Sequence, residues 1–191
     1  MNYADLKANL QAIIGRAPPT ICYSMVTADL NRDLRLSAML RPATLEQSTN
    51  MSLPADFLQV STVYIDSEPP VMLRPSASEF WQEGAGEFNG EYCIRHKTML
   101  MNATRDLNEV KLVYYAELDP LELEESDNFV LLNHPDAYVY GALAHHYALI
   151  RDTDAAQVHA AQYFSVVEKI QRSDRNKRTG GASIKPRVTV A

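Results

Sequence analysis

Cysteine is almost missing from this chain. Its 191 residues hold two, Cys22 and Cys93, far apart and without CxxC spacing. That leaves no disulfide framework and argues against a structural zinc site; both read as buried free thiols in a reducing compartment. Long apolar runs are also lacking, and nothing approaches the roughly 20 residues that span a bilayer. The opening "MNYADLKANLQAII" has no basic region followed by an apolar run, so it reads as a helix and not a signal peptide. The expectation is a soluble chain made in the cytoplasm, with no membrane partner. An apolar content of 46% still supports a core of one compact domain, or one with a modest insertion.

Catalytic signatures are missing as well. There is no GxSxG, P-loop or GxGxxG, and the serines lie without a nearby His/Asp pattern. "GAGEFNG" (84–90) holds glycines but opens no helix, so it reads as a loop and not a phosphate cradle. Trp81, with Phe80 and Phe88, reads as a small local core. The sequence therefore names no catalytic residue, no cofactor and no metal ligand. It shows no internal repeat and no low-complexity tract.

Charge is present, and unevenly placed. The net charge is −6. Residues 172–191 hold Arg172, Arg175, Lys177, Arg178, Lys185 and Arg187 against Asp174, which makes that segment +5 and the body −6 − 5 = −11. An acidic body with a basic, Gly-containing tail predicts a globular unit plus a partner-seeking arm. "SIKPRVTV" suits an extended strand that joins another chain's sheet edge.

Periodicity gives the elements. Leu6, Leu10, Ile13 and Ile14 predict a helix over 3–14, stopped by Gly15 and Pro18-Pro19. A second helix is predicted over 20–40, with Thr20 as its cap and Pro42 ending it. The period then shifts toward two. Strands are predicted at 57–65, 70–75 and 109–118, with a hairpin in which "GEYCIRH" and "TMLMNA" flank His96-Lys97. Ser76 and Glu79 have capping-box spacing, so 76–84 reads as one or two helical turns. "ELDPLELEESDN" (117–128) holds six acids without the central Gly of a calcium loop, and reads as a solvated linker. Two more helices are predicted over 135–150 and 154–173.

The histidines of "NHPDAYVYGALAHHYALI" (133–150) were the best candidates for chemistry. Pro135 suits a first helical turn, Asn133 a cap, and Asp136 the positive end of the dipole. The rest is apolar almost all round, which predicts burial on several sides, and Gly141 and Ala142 allow close helix approach. His145 and His146 are adjacent, so they diverge by about 100° and do not share a metal. His134 is more than two turns away, and His159 adds only a single pair. One histidine is expected to hydrogen-bond inside the bundle and the other to face solvent or a neighbour.

The predicted fold class is α+β: a four-helix bundle with an inserted small antiparallel β-sheet or sandwich and an extended C-terminal arm. The divisions are 1–42 and 119–173 for the bundle, 43–118 for the insert and 174–191 for the arm.

"NRDLRLSAM" (31–39), "LPADFL" (53–58) and "HPDAYVYGALAHHYAL" (134–149) followed by "DTDAAQ" occur in an order and spacing that resembles the head-to-tail adaptor (connector) proteins of tailed bacteriophages. The resemblance covers residues 3–172. It departs in the acidic segment and in the "RHKT" turn, where such proteins often carry a Gly. It implies a structural virion protein, not an enzyme, at the head–tail junction. It further implies a homo-oligomeric ring, commonly of twelve copies, beneath the portal protein, which extends the DNA channel and docks tail or nozzle proteins. Genomic DNA would pass without specific binding. The family's C-terminal segment grips the portal or a neighbouring subunit, which here points to Arg175, Lys177, Arg178, Ser183, Ile184, Lys185, Pro186, Arg187 and Val188. The alternative is a nucleic-acid-binding module acting through the basic tail.

Overall fold

The protein is described here from a computed structural model, which describes residues 1–46, 50–76, 90–101 and 109–180. The turns expected over 77–84, the cluster around Trp81 and the segment from Ser183 to Val188 lie outside the described residues. The chain divides into two compact units, Met1–Ala38 with Leu118–Ala191, and Met39–Glu117.

The first unit is helical. Helix α1 (Tyr3–Ile14) opens with a capping box. The Asp5 amide donates to Asn2 Oδ1 at 2.9 Å and the Asn2 amide to Asp5 Oδ2 at 3.1 Å, so two amides left over by helix geometry are satisfied together. Gly15 ends the helix at φ 79°, a left-handed conformation that glycine adopts without a Cβ clash. Leu6 and Leu10 are fully buried, but Ile13, expected on the same stripe, is exposed.

Helix α2 (Thr20–Asp33) stops short of the expected 40. Leu34 turns extended, and Leu34 and Leu36 are both buried. Period two places both leucines on one side, which a continuing helix does not do. The Arg35 guanidinium meanwhile donates to the Asn31 carbonyl at 2.8 Å. A short helix, α3 (Phe129–Asn133), was not expected; the Asn128 side chain caps it. Helix α4 (Pro135–Leu149) has Pro135 in its first turn as expected. Its cap position is His134, not Asn133, whose amide instead donates to the Phe129 carbonyl at 2.8 Å. Helix α5 (Thr153–Arg178) runs beyond the expected end at 173, with Asp152 as its cap. Among the described residues the unit thus has five α-helices and not four, with α4 packed against α1, α2, α3 and α5.

Gly141 makes that packing close. A Cβ there would lie 2.8 Å from Val26 Cγ2 and 3.2 Å from Tyr163 Cδ2. Beside this contact runs a polar chain. Asn128 Nδ2 donates to the Tyr138 hydroxyl at 2.7 Å, which lies 3.0 Å from Thr27 Oγ1, and Thr27 donates to the Tyr23 carbonyl at 3.1 Å. Each group is buried and each has a partner, which satisfies the demand on interior polar atoms. Burial holds the Tyr138 hydroxyl above the usual phenol range, against the lowering effect of those two side-chain bonds.

The second unit is β. Its strands are β1 (Leu40–Glu46), β2 (Asn50–Ser52), β3 (Phe57–Ile65), β4 (Val71–Met72), β5 (Arg74–Pro75), β6 (Glu91–Arg95), β7 (Thr98–Met101) and β8 (Glu109–Ala116). They form two four-stranded sheets, in the orders β1-β8-β3-β4 and β2-β7-β6-β5. The first is antiparallel. The second is mixed, because β5 pairs parallel to β6, which corrects the purely antiparallel expectation. Val110, Leu112 and Tyr114 alternate into the core with Ala116, joined by Val63, Ile65, Met99 and Met101. Pro42 is the expected stop of the second helix. Pro42 instead sits within β1, opposite Val113 on the sheet's edge, where a missing N–H is tolerated. The expected hairpin is β6–β7, turning at His96 (φ 48°) and Lys97 (φ 60°).

Candidate interaction surfaces

The acidic segment is not a loose linker. The Tyr3 amide donates to the Ser126 carbonyl and the Ala4 amide to the Glu124 carbonyl, both at 2.9 Å. The Leu118 amide reaches Asn31 Oδ1 at 2.8 Å, and Asn128 Nδ2 reaches the Asp119 carbonyl at 3.0 Å. Leu118 and Leu121 are buried. The segment is thereby fastened across the start of α1, where the helix dipole favours negative charge. Composition alone reads as solvated, and the two anchoring leucines, Leu118 and Leu121, lie three apart in a segment without a period. What it shows to solvent is Glu122, Glu124, Glu125 and Asp127, and between them Leu123, 63% exposed. Glu124 lies 3.7 Å from Lys7. Among the described residues, Glu122, Glu125 and Asp127 form no ion pair.

At the other extreme of charge lies the end of α5. Asp174 fastens it: the Ser37 amide donates to Asp174 Oδ1 at 3.0 Å, the Ser37 hydroxyl donates to the same oxygen, and Arg178 Nε lies 2.7 Å from Oδ2. Burial pushes the Asp174 carboxyl upward. The Ser37 hydroxyl and amide and the Arg178 charge outweigh it, leaving the group below its ordinary range. Arg178 also donates to the Arg35 carbonyl at 2.8 Å, and Gln171 to the Asp33 carbonyl at 2.9 Å. Of the nine residues assigned to partner binding, Arg175, Lys177 and Arg178 therefore stand on a helix and not on an arm. Lys169, Arg172, Ser173, Asn176, Lys177 and Gly180 share one exposed side of this end of α5. Arg172 pairs with Glu168 at 2.7 Å. Lys169, Arg175 and Lys177 form no ion pair among the described residues.

His145, His146 and His159 lie in three different settings. His145 Nε2 lies 2.8 Å from Asp29 Oδ2, at a cleft of about 280 Å³ between α2, α4 and α5, and Arg32 takes the other Asp29 oxygen at 2.9 Å. His146 is buried, its Nδ1 without a hydrogen bond, and desolvation first, then the nearby Arg16 charge, hold it below the ordinary imidazole value. The hydrogen-bonded histidine is thus the half-exposed one. His159 stacks against Tyr147 at 5.4 Å and Tyr140 at 6.4 Å. Among the described residues, no three His, Cys, Asp or Glu side chains are placed to hold a metal ion. No described helix is long and apolar enough to cross a membrane.

The arrangement offers recognition by charge and shape, and comparison with known proteins places it. A family model described as SU10 adaptor protein matches residues 1–186. No curated protein matches the chain. The chain belongs to the SU10 adaptor protein family, a family of phage head–tail adaptors.

Proposed function

From that membership we propose that the chain is a structural component of the virion at the head–tail junction, made in the host cytoplasm. Copies close into a ring of twelve beneath the portal protein, extend the DNA channel and present a platform for tail or nozzle proteins. The family match over residues 1–186 carries this reading. The physical chemistry supports it. A body of charge −11 repels phosphates, so a genome slides past an acidic wall without sticking. The tail supplies opposite charge for docking. Arg175, Lys177 and Arg178 begin that docking surface on the helix, and Ser183, Ile184, Lys185, Pro186, Arg187 and Val188 continue it.

Electron microscopy of assembled particles tests the reading. A ring of this chain below the portal is expected. Particles that contain the chain without ring symmetry, or lack it, overturn the proposal. A second reading, nucleic-acid binding, is favoured by Lys169, Arg175 and Lys177, which form no ion pair among the described residues. It requires a DNA affinity that falls steeply with salt and vanishes when the tail is removed.

A further inference from the structure

Two exposed surfaces on the helical unit carry opposite charge. One is the fastened acidic segment, with Glu122, Glu125 and Asp127 exposed around the protruding Leu123. The other is the exposed face at the end of α5, where Lys169 and Lys177 form no ion pair among the described residues and Arg172 pairs with Glu168. Among the described residues no ion pair joins the two within one chain. Both are held in shape before any partner arrives, the first by backbone bonds to α1 and the second by the Ser37–Asp174–Arg178 contacts. Little ordering cost is therefore left for association.

We infer that these two surfaces are the two halves of one interface between copies: the acidic segment of one chain, led by Leu123, lies against the basic face of α5 of the next. The occupant is a second copy because the charge is complementary and both halves are built on every chain. Such a contact is heterologous. Different patches meet, so each copy offers one free half at either end, and a constant rotation closes the series into a ring. An isologous dimer sets acid against acid or base against base. The buried leucine adds apolar area, and the lysine and arginine stems flank it while their heads reach the carboxylates. This inference rests on the ring reading above and names the faces that build the ring.

The test uses assembled particles of the phage that encodes the chain. A variant with Leu123→Cys and Asn176→Cys replaces two exposed side chains, while the native Cys22 and Cys93 are buried. Mild oxidation is expected to give a ladder of covalently linked copies on a denaturing gel. A ring present under the portal without any ladder overturns this inference and leaves the ring reading standing. A chain absent from the particle overturns both. Charge reversal gives an independent check. Lys169→Glu with Lys177→Glu is expected to abolish tailed particles, as is Glu122→Lys with Glu125→Lys, and co-expression of the two variants is expected to restore them through an alternating ring. Loss by the basic-face variant alone, with salt-dependent DNA binding lost in parallel, assigns that face to DNA and overturns the inference.

Discussion

The two units are held together by different means. The β unit has an apolar interior in which Leu112, Val110 and Met99 are fully buried. The helical unit threads a polar chain through its interior, from Asn128 through Tyr138 and Thr27 to the Tyr23 carbonyl. Apolar contacts are non-directional, and in the β unit the backbone ladders set the register. Side-chain hydrogen bonds are directional and costly to leave unmade, so in the helical unit they select one helix geometry. The unit that carries both charged surfaces thus has its helices pinned by buried side-chain direction as well as volume.

Substitutions sharpen this contrast. The largest effect is expected in the β unit. Leu112→Ala leaves a cavity at the centre of its core and is expected to cost about 2–5 kcal/mol in denaturant unfolding. Gly141→Ala comes next, because the added methyl meets Val26 at 2.8 Å. Its expected cost is about 1–3 kcal/mol from overpacking. Tyr138→Phe removes the link between Asn128 and Thr27 with little change of volume, and is expected to cost roughly 1–3 kcal/mol. If that substitution is neutral, the polar chain does not pin the helices and the contrast fails.

Acid sensitivity should sit in the helical unit too. The Asp174 pKa is lowered, so its contribution is complete above the ordinary carboxylate value and is lost as pH falls through the folded value. Asp174→Asn is expected to flatten the acid limb of a melting-temperature profile. His146 is also held low, so the protein should begin to lose stability as pH drops below the ordinary histidine value, and His146→Leu is expected to remove that first step. The smallest effect is expected at the hairpin. Lys97→Gly relieves a left-handed residue at φ 60° and is expected to raise stability by about 0.5–1 kcal/mol.

What could be read in advance followed from local periodicity. The strand Phe57–Ile65 and the helix Tyr3–Ile14 have the bounds their patterns give, and the alternation of Val110, Leu112 and Tyr114 names the buried face of β8. Errors arose where long-range contact overrides local signals. Pro42 is a helix stop by propensity but an edge-strand residue once β8 lies beside it. Arg175, Lys177 and Arg178 resemble the start of an arm by composition, but Ser37 and the Arg35 carbonyl, far back in the chain, fasten that stretch as the end of α5. Of the partner surface, the charges were legible, since charge is a property of composition. The fastening of the acidic segment was not, because it depends on amides at the start of α1.

One feature of the β unit bears on how the gene can be cut. Its first and last strands are hydrogen-bonded neighbours, with Leu40 opposite Tyr115. The chain therefore enters and leaves the β unit through two points one strand spacing apart, about 5 Å. The segment from Met39 to Glu117 is a closed loop with adjoining ends. A linker of two or three residues spans that gap, so the segment is open to exchange for another module as a single cassette.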